Sequence, residues 1–570
     1  MEWAGAWDRE VDVLVFGSGC GGMTAALVAA NEGLDVMLCE KAAQLGGTTA
    51  ISGGAIWVPG TTQSGRAGAP DSVDAAREYL KGELKEFDVP ALREAFLKTG
   101  AEAVNYLERH TEVKFRAYNP YPDYHAERPG GAAGGRALSP LPFDGRLLGA
   151  DFKLVRPPMA EIAPLGGMMV GRDEIALLIR PLASIKAFTV STRLLARHFV
   201  DRLRYARGTR LLLGNALVAR LFSSLRARGA KVAVQAKLLE LVREQDAVTG
   251  AVVDLGGKTQ RIRARRGVVL ATGGCASSAK WRAQLLKNVV VPHSLADAGD
   301  TGDGLDAALA IGAVLDHKHS NPFFWMPAST YRWPSGRSVT YPHIRDRPKP
   351  GLIAVNSSGQ RFVNEANSYH DFVTAMFRSD RGGSSIPAYL ICDRRFVYEY
   401  GLGIIHPVWQ RVRKFVRKGY LQSAPTLVEL AGKIKVDRDA FLRSVDQHNA
   451  AAESGVDTAF GKGALALNKF NGDKRNTPNP CLRPISQGPF FALAVYPAPI
   501  GSSVGLHTDV NGQVLDGQGR TIKGLYAAGN DMSSMMRGFY PGPGITLGPA
   551  LVFAYRTAMH IAGKPVNVPA

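Results

Sequence analysis

The segment VDVLVFGSGCGGMTAALVAANEGLDVMLCEK, residues 11–41, leaves a chain few folds to choose from. Residues 11–16 read as a buried strand, 17–22 as a tight turn, and 23–32 as a helix of small residues. A second strand over 35–39 runs into Glu40 and Lys41. Gly17-x-Gly19-x-x-Gly22 thus falls between strand and helix, with an acid 18 residues beyond the last glycine. The first glycine makes the turn, the second lets backbone reach a pyrophosphate, and the third lets helix pack on strand. The helix N-terminus meets the phosphates, and Glu40 can accept the ribose hydroxyls. This order of elements is what dinucleotide binding needs.

The next motif separates the flavin dinucleotide from the nicotinamide one. QLGGTTAISGGAIWVPG (44–60) follows the acid directly, where a nicotinamide domain would continue with another helix and strand. Gly46, Gly47, Thr48, Thr49, Ser52, Gly53 and Gly54 can wrap a pyrophosphate and approach an isoalloxazine ring, while Ile51, Ile56 and Trp57 seek burial. FAD is therefore the expected cofactor. RGVVLATGGCASS (266–278) reads as a further parallel strand ending at Gly273 and Gly274, and KGLYAAGNDMSS (523–534) as another ending at Gly529 and Asn530. Before the first of these, 231–264 reads as a strand-and-hairpin meander turning at Asp246 and at Gly256-Gly257. The fold class is α/β, α+β overall, with a discontinuous FAD domain of the glutathione-reductase type. The expected division is 1–302, with a loop or lid over about 115–185, then an inserted catalytic domain at 303–486, and a return to the FAD domain at 487–570.

Charge and cysteine content narrow the partners. The net charge is +19, and Arg193 to Lys231 holds ten basic residues against Asp201 alone. RVRKFVRKG (411–419) adds five more. No nucleic-acid-binding motif accompanies these runs, so nucleic acid is excluded as a partner, and peripheral contact with an anionic membrane stays open. Five scattered cysteines without a CxxC pair exclude a structural metal site and point to a reducing, cytoplasmic setting. The start, MEWAGAWDREVDV, shows no signal-peptide pattern, and no uncharged apolar run reaches the roughly 18 residues of a membrane span.

Several stretches together resemble the flavoprotein family of fumarate reductases and 3-ketosteroid Δ1-dehydrogenases. They are QLGGTTAISGGAIWVPG, ATGG, GDTGDGLDAALAIGA (299–313), VNSSGQRFVNE (355–365) and GLYAAGND, which between them span nearly the full length. Fumarate reductases of this family carry a histidine-rich turn before the last FAD strand. Here that place reads YPAPIGSSVGLHTD (496–509), with His507 beyond the turn, and Arg361 is as readily an ion-pair partner of Glu365. The ketosteroid branch is resembled at YPDYHAERPGG (121–131), RFVNEANSYHDF (361–372) and FYPGPGITLGP (539–549). That resemblance implies a carbonyl-polarising Tyr540, a backbone N–H donor at Gly544 and a proton-abstracting Tyr369. Tyr124 would support the base, with Tyr121 close enough to compete for that role.

The implied chemistry stands on its own terms. Desaturation beside a ketone needs a grip on the oxygen, a base for the α-proton and an acceptor for the β-hydride. A tyrosine O–H with a backbone N–H supplies the first. A tyrosine base, with an ordinary pKa near 10, needs a neighbouring hydroxyl to stabilise its phenolate. Thr546 and Leu547 open a helix whose positive end would face the flavin edge that gains charge on reduction. Asp300 and Asp303, in the GDTGDG turn, read as helix caps and turn formers. The expected activity is 1,2-desaturation of a 3-ketosteroid. Desaturation of smaller cyclic ketones is the alternative, and ene reduction of the fumarate type a more distant one. No motif identifies the electron acceptor.

Overall fold

The computed structural model describes residues 6–287, 289–380, 386–407 and 412–566. Residues 1–5 and Arg411, parts of the chain start and of the second basic run read above, lie outside these.

Two sheets organise the described residues. The first has eight strands, with Arg9–Phe16 near its centre, paired in parallel with Lys258–Leu270 on one side and Val36–Glu40 on the other. Thr521–Ala527 joins Lys258–Leu270 in parallel, and Lys231–Val234 extends the opposite edge. The meander expected over 231–264 is present as antiparallel strands Ala236–Glu244, Ala247–Leu255 and Lys258–Leu270. Residues 13–16 are buried without alternation because helices cover this stretch of sheet. One of these helices, Cys20–Asn31, has ten consecutive buried residues, Cys20 to Ala29, and small side chains that let its neighbours come close. Leu213–Ala227 and the last helix, Leu547–Ile561, pack against it.

The second sheet has six antiparallel strands. Its longest, Phe490–Ser502, pairs with Ala388–Asp393 on one edge and with Phe323–Arg332 and the short Gln422–Ala424 on the other. The chain therefore stays in this sheet past residue 487 and rejoins the first sheet only at Gln513–Leu515. Its nearly continuous apolar sequence, FFALAVYPAPIGS, carries no mark of which sheet it joins.

The segment 115–185 is more structured than a lid of loops. Ala137–Pro140 pairs with both Phe115–Ala117 and Ile56–Trp57, which ties it to the expected cofactor loop. Arg136 fixes the preceding turn by bonding Asp71 at 2.8 Å and Asp123 at 2.7 Å, all three residues being deeply buried. Burial raises Asp123 to about 6, against the pull of Arg136 and of the Trp57 indole N–H, 2.7 Å away.

The glycine turn at the head of the first sheet is sterically full. A Cβ on Gly17, whose φ is +99°, would lie 2.0 Å from the Ala271 carbonyl oxygen, and one on Gly22 would lie 1.9 Å from that of Gly17. Gly22→Ala is expected to lower stability by about 1–3 kcal/mol and to shed bound FAD, read by thermal melting and flavin absorbance. Gly82→Ala, in an open position of helix Val73–Leu84, serves as the control and should be neutral or mildly stabilising.

Candidate active site

The segments expected to form a cofactor cleft come together. Gly17, Gly19 and Gly22 turn over the start of helix Cys20–Asn31, and the Cys20 N–H donates to Thr49 Oγ1 at 3.0 Å. Glu40 lies beneath that turn. One carboxylate oxygen accepts from the Ser18 N–H at 3.0 Å and the other from the Ala42 N–H at 2.8 Å. Backbone N–H groups of Gly47, Thr48 and Thr49 have no acceptor among the described residues, and a Cβ on Gly47, Gly53 or Gly529 would meet nothing within 4 Å. A groove lined by free N–H donors and bare glycines suits a pyrophosphate. These residues fit FAD.

Other expected cofactor contacts are committed elsewhere. Ser52 closes its own turn, donating to the Thr49 carbonyl and accepting from Gly54 N–H at 3.0 Å. Gly54, with φ +67°, packs on the backbone of Leu213 and Gly214. Lys41 forms an ion pair with Asp303 at 2.5 Å, in the first turn of helix Asp303–Ala310. Asp300 is no helix cap; Gly302 holds that position. Asp300 instead accepts from Thr48 Oγ1 at 2.7 Å, and burial, with the charges of Asp297 and Asp531, pushes its pKa well above the usual carboxylate range. It fills the space a Cβ on Gly273 would need, 2.4 Å away, while Ser502 and Asn530 crowd Gly274 in the same way.

Tyr540 sits where this cleft meets the second sheet. The turn behind it presses on the cofactor loop: a Cβ on Gly542 would lie 2.7 Å from the Trp57 indole nitrogen, and one on Gly548 2.2 Å from the Trp57 carbonyl oxygen. Gly544, with φ +94°, would meet the Ala55 carbonyl at 2.5 Å, and its own carbonyl accepts the Trp57 N–H at 3.0 Å. The Gly544 N–H has no acceptor among the described residues. The Pro541 carbonyl takes the Tyr79 hydroxyl at 2.7 Å and the Tyr124 N–H at 2.8 Å, which fixes the turn to the loop carrying Tyr124.

Three expected catalytic tyrosines converge there. Ring centroids lie 5.0 Å apart for Tyr369 and Tyr540, 5.6 Å for Tyr124 and Tyr369, and 5.8 Å for Tyr124 and Tyr540. Tyr369 opens helix Tyr369–Ser379, capped by Ser368 accepting from the Asp371 N–H at 3.1 Å. The Tyr369 hydroxyl faces those of Tyr124 and Tyr540. Tyr121 stands one place further out, stacked on Phe470 at 4.7 Å, so Tyr124 is the tyrosine beside Tyr369. Burial raises Tyr540 to about 12, and holds Tyr369 and Tyr124 well above the ordinary tyrosine value. His370, 5.9 Å from the Tyr540 ring, is lowered to about 4 by burial and accepts the Trp325 N–H at its Nδ1, so it is neutral. His507 is exposed and remote from this cluster, and Arg361 pairs with Glu365 and Asp457, both at 3.0 Å.

A family model described as FAD binding domain matches residues 12–547. The chain belongs to this FAD-binding family. It is 37% identical over 97% of its length to a 4-oxocyclohex-2-ene-1-carboxylate 5-dehydrogenase of Sinomonas cyclohexanicum, covering 93% of that protein. It is 35% identical over 98% of its length to the 3-oxosteroid 1-dehydrogenase of Mycobacterium tuberculosis, covering 99% of it. Its structure matches the crystal structure of 3-ketosteroid Δ1-dehydrogenase from Sterolibacterium denitrificans in complex with 1,4-androstadiene-3,17-dione. The TM-score is 0.91 at 35% identity, with 97% of this chain and all of that one covered. The resemblance carried by the tyrosine motifs is to this branch of the family.

Two residues near the tyrosines had no signal in sequence reasoning. Arg347 is buried beside Tyr124, and its guanidinium forms no ion pair among the described residues but donates to the carbonyls of His343, Glu365 and Asn367. His125 sits between Glu83, 2.9 Å from its Nδ1, and Asp371, 3.0 Å from its Nε2. Two carboxylates can only accept, so both ring nitrogens must donate and the ring is an imidazolium. Burial works against that charge, but the two acids outweigh it and raise His125 to about 10. The bridge joins the residue after Tyr124 to the helix that begins at Tyr369.

Because the folded pKa is raised, the stability contributed by His125 is full below about 6.5 and fades as pH climbs through about 10. His125→Gln is expected to melt below wild type at pH 6, with the gap closing near pH 11. Its turnover should fall about tenfold while FAD stays bound. A melting gap independent of pH would contradict the charged bridge.

Proposed function

We propose that this FAD-binding protein is a dehydrogenase that introduces a double bond α,β to a ring ketone, the ketone lying against Tyr540. The observation that carries the reading is the convergence of three tyrosines, Tyr124 and Tyr540 buried and Tyr369 half-buried, beside a turn whose Gly544 N–H has no acceptor among the described residues. The Tyr540 hydroxyl and the Gly544 N–H are the two donors to the ketone oxygen as enolate character develops. A pKa near 12 keeps Tyr540 protonated, hence a donor, across the working range. Tyr369 takes the α-proton, and the Tyr124 hydroxyl stabilises the phenolate that results. The bound flavin supplies the acceptor for the β-hydride. Gly17, Gly19, Gly22, Gly47, Thr48, Gly53, Gly529 and the start of helix Leu547–Ile561 would hold it. The cofactor part is the first sheet with its helices, and the substrate part is 303–486 together with strand Phe490–Ser502.

The preferred substrate class is a 3-ketosteroid desaturated between carbons 1 and 2, on the strength of the likeness to the Sterolibacterium enzyme. A one-ring cyclohexanone is the second reading, favoured by the likeness to the Sinomonas enzyme. Ene reduction of the fumarate type lacks support at the pocket, where His370 is neutral and Arg361 is consumed by its own acids.

We also infer that the protein docks on anionic membrane through helix Ile185–Arg202. No helix of the described residues is long and apolar enough to cross a membrane. This helix is inverted relative to an ordinary surface helix. Ile185, Phe188, Thr192, Ala196, Phe199 and the cap residue Leu203 recur at helical spacing and face solvent, with Ile185 86% and Leu203 84% exposed. Small and polar Ala187, Ser191, His198 and Asp201 face the protein. Exposed Lys186, Arg193 and Arg204 flank the apolar stripe, with no acid within 4 Å among the described residues. An apolar stripe edged by cations fits a lipid interface with acidic headgroups. A second copy would set these like charges against each other.

Tyr540→Phe is expected to lower turnover about 10²–10³-fold with the flavin retained. Wild-type turnover should climb with pH through the alkaline range as Tyr369 deprotonates, and Tyr369→Phe should abolish both turnover and climb. Anaerobic flavin bleaching by androstenedione but not cyclohexanone favours the steroid reading, and the reverse favours the one-ring reading. Near-normal turnover in Tyr540→Phe, with chemistry shown to limit, would contradict the oxygen grip. On the membrane, flotation should recover the protein with phosphatidylglycerol-containing vesicles, less so with phosphatidylcholine alone or at high salt. Phe188→Ser/Phe199→Ser should float at least about tenfold less. Equal flotation of variant and wild type, or an apolar-face-dependent dimer in solution, would overturn the docking surface.

A further inference from the structure

Three cations gather beside the tyrosine pocket without an acid to neutralise them. Helix Ala466–Asn471 forms one wall of the cavity that Tyr121, Tyr124, Arg347 and Tyr369 also line, through Leu467 and Asn471. On that wall the Arg172 guanidinium lies 4.1 Å from the Phe470 ring centroid and donates to the Phe470 carbonyl at 3.0 Å. Lys349 Nζ donates to the carbonyls of Asn471 and Gly472 at 2.7 and 2.8 Å. Arg345 completes the group, close enough to Arg172 and to Tyr121 to sense the charge of each. Among the described residues no carboxylate lies within 4 Å of any of the three.

The absence of an acid here is not the rule of this fold. Arg136 lies between Asp71 and Asp123, and Arg361 between Glu365 and Asp457. The nearby acids are already taken, Glu174 by Arg210 at 2.8 Å and Asp473 by Arg475 at 2.7 Å. Arg207, Arg220 and Arg282 also lack acids, but each stands among carbonyl groups apart from other cations. Gathering three like charges costs free energy at every pair, so a missing anion is the simplest account. The strain is visible at Lys349, which burial and the Arg172 charge lower to about 8. Arg345 is exposed and lies near enough to Arg172 to feel its charge.

We propose that Arg172, Arg345 and Lys349 form a subsite for a carboxylate carried by the substrate, on the side of the molecule away from the ketone. This rests on the reading that Tyr540 and Gly544 hold the ketone. Tyr121 and Phe470 stack between the two ends, presenting flat apolar rings along which the carbon skeleton lies. An arginine pair with a lysine suits a carboxylate, which accepts several charge-assisted hydrogen bonds at once. The substrate class is therefore a keto acid. Either a single oxocyclohexane ring bearing the carboxylate or a 3-ketosteroid with an acidic side chain satisfies this chemistry, and the two differ in length.

The FAD-loaded enzyme decides between them. Steady-state kinetics and anaerobic flavin bleaching compare 4-oxocyclohexanecarboxylate with its methyl ester, and a 3-oxosteroid side-chain acid with its methyl ester. The acid of one pair is expected to exceed its ester in kcat/KM by about tenfold or more, through KM. Arg172→Gln and Arg345→Gln should erase that preference by raising KM for the acid to that of its ester. Arg345 makes no hydrogen bond to the protein among those described, so its variant guards against misfolding. Equal handling of acid and ester in both pairs, or a preference that survives both substitutions together, overturns the subsite. If no ketone bleaches the flavin, the desaturase reading fails separately. Cyclohexanecarboxylate titrated against the flavin spectrum then decides the subsite: a perturbation lost in the double variant supports it, and no perturbation in wild type overturns it.

Discussion

The pressing of residues 540–548 against Ala55–Trp57 is the contact on which the site depends. Three glycines at 542, 544 and 548 each stand where a Cβ would enter the backbone or indole of that loop. Removing side chains at these points lets two segments nearly five hundred residues apart share one layer. The helix that follows packs on helix Cys20–Asn31, so the dinucleotide turn, the 44–60 loop and Tyr540 become one rigid joint. A displacement of that turn would move the proposed oxygen grip and the cofactor cradle together. Trp57 is fully buried at this joint and hydrogen-bonded through its indole to Asp123, which Arg136 also holds. The loop bearing Tyr124 is thereby set by the same few contacts.

The electrostatics of the pocket follow from that packing. The three tyrosines pack in one cluster, Tyr124 and Tyr540 buried and Tyr369 half-buried, and loss of water raises each of their pKa values. At neutral pH the three tyrosines are uncharged. His370, beside Tyr540, is neutral as well. In such surroundings a hydrogen bond to a developing enolate gains more than it would in water. The one cation beside them, Arg347, is held by backbone carbonyls. The His125 imidazolium is neutralised on both sides by Glu83 and Asp371, so it braces two elements without imposing a net field on the tyrosines.

Local periodicity made the first sheet legible, because its parallel strands, turns and small-residue helix each leave a mark within thirty residues. The glycine turns at 273–274 and 529 were legible for the same reason. Strand Phe490–Ser502 was not, since an apolar strand can serve either sheet and its neighbours lie far away in sequence. Asp300 looked like a turn former because the GDTGDG pattern describes local geometry. Its burial against Gly273 depends on a partner 27 positions earlier, and its bond to Thr48 on one 252 positions earlier. The bridge from His125 to Asp371 spans 246 residues, and an isolated histidine in a tyrosine-rich loop carries no trace of it. Ser52 and Gly54 have types that suit a cofactor loop, and the contacts they also make with their own turn and with the helix at 213 leave no local mark in the sequence.

The pocket is polarised along its length. At one end stand the Tyr540 hydroxyl and the Gly544 N–H, the donors proposed for the ketone oxygen. Toward the other, Arg172, Arg345 and Lys349 have no acid of their own, and the stacked rings of Tyr121 and Phe470 lie between. A ring ketone with an anion at its far side has one favourable orientation in that field, because reversal would place a charge among buried tyrosines and leave the cations bare. Burying an unpaired charge costs far more than a misplaced neutral group. Orientation would then be settled before any hydrogen moves, and the tyrosines need only distinguish the carbons adjacent to one carbonyl.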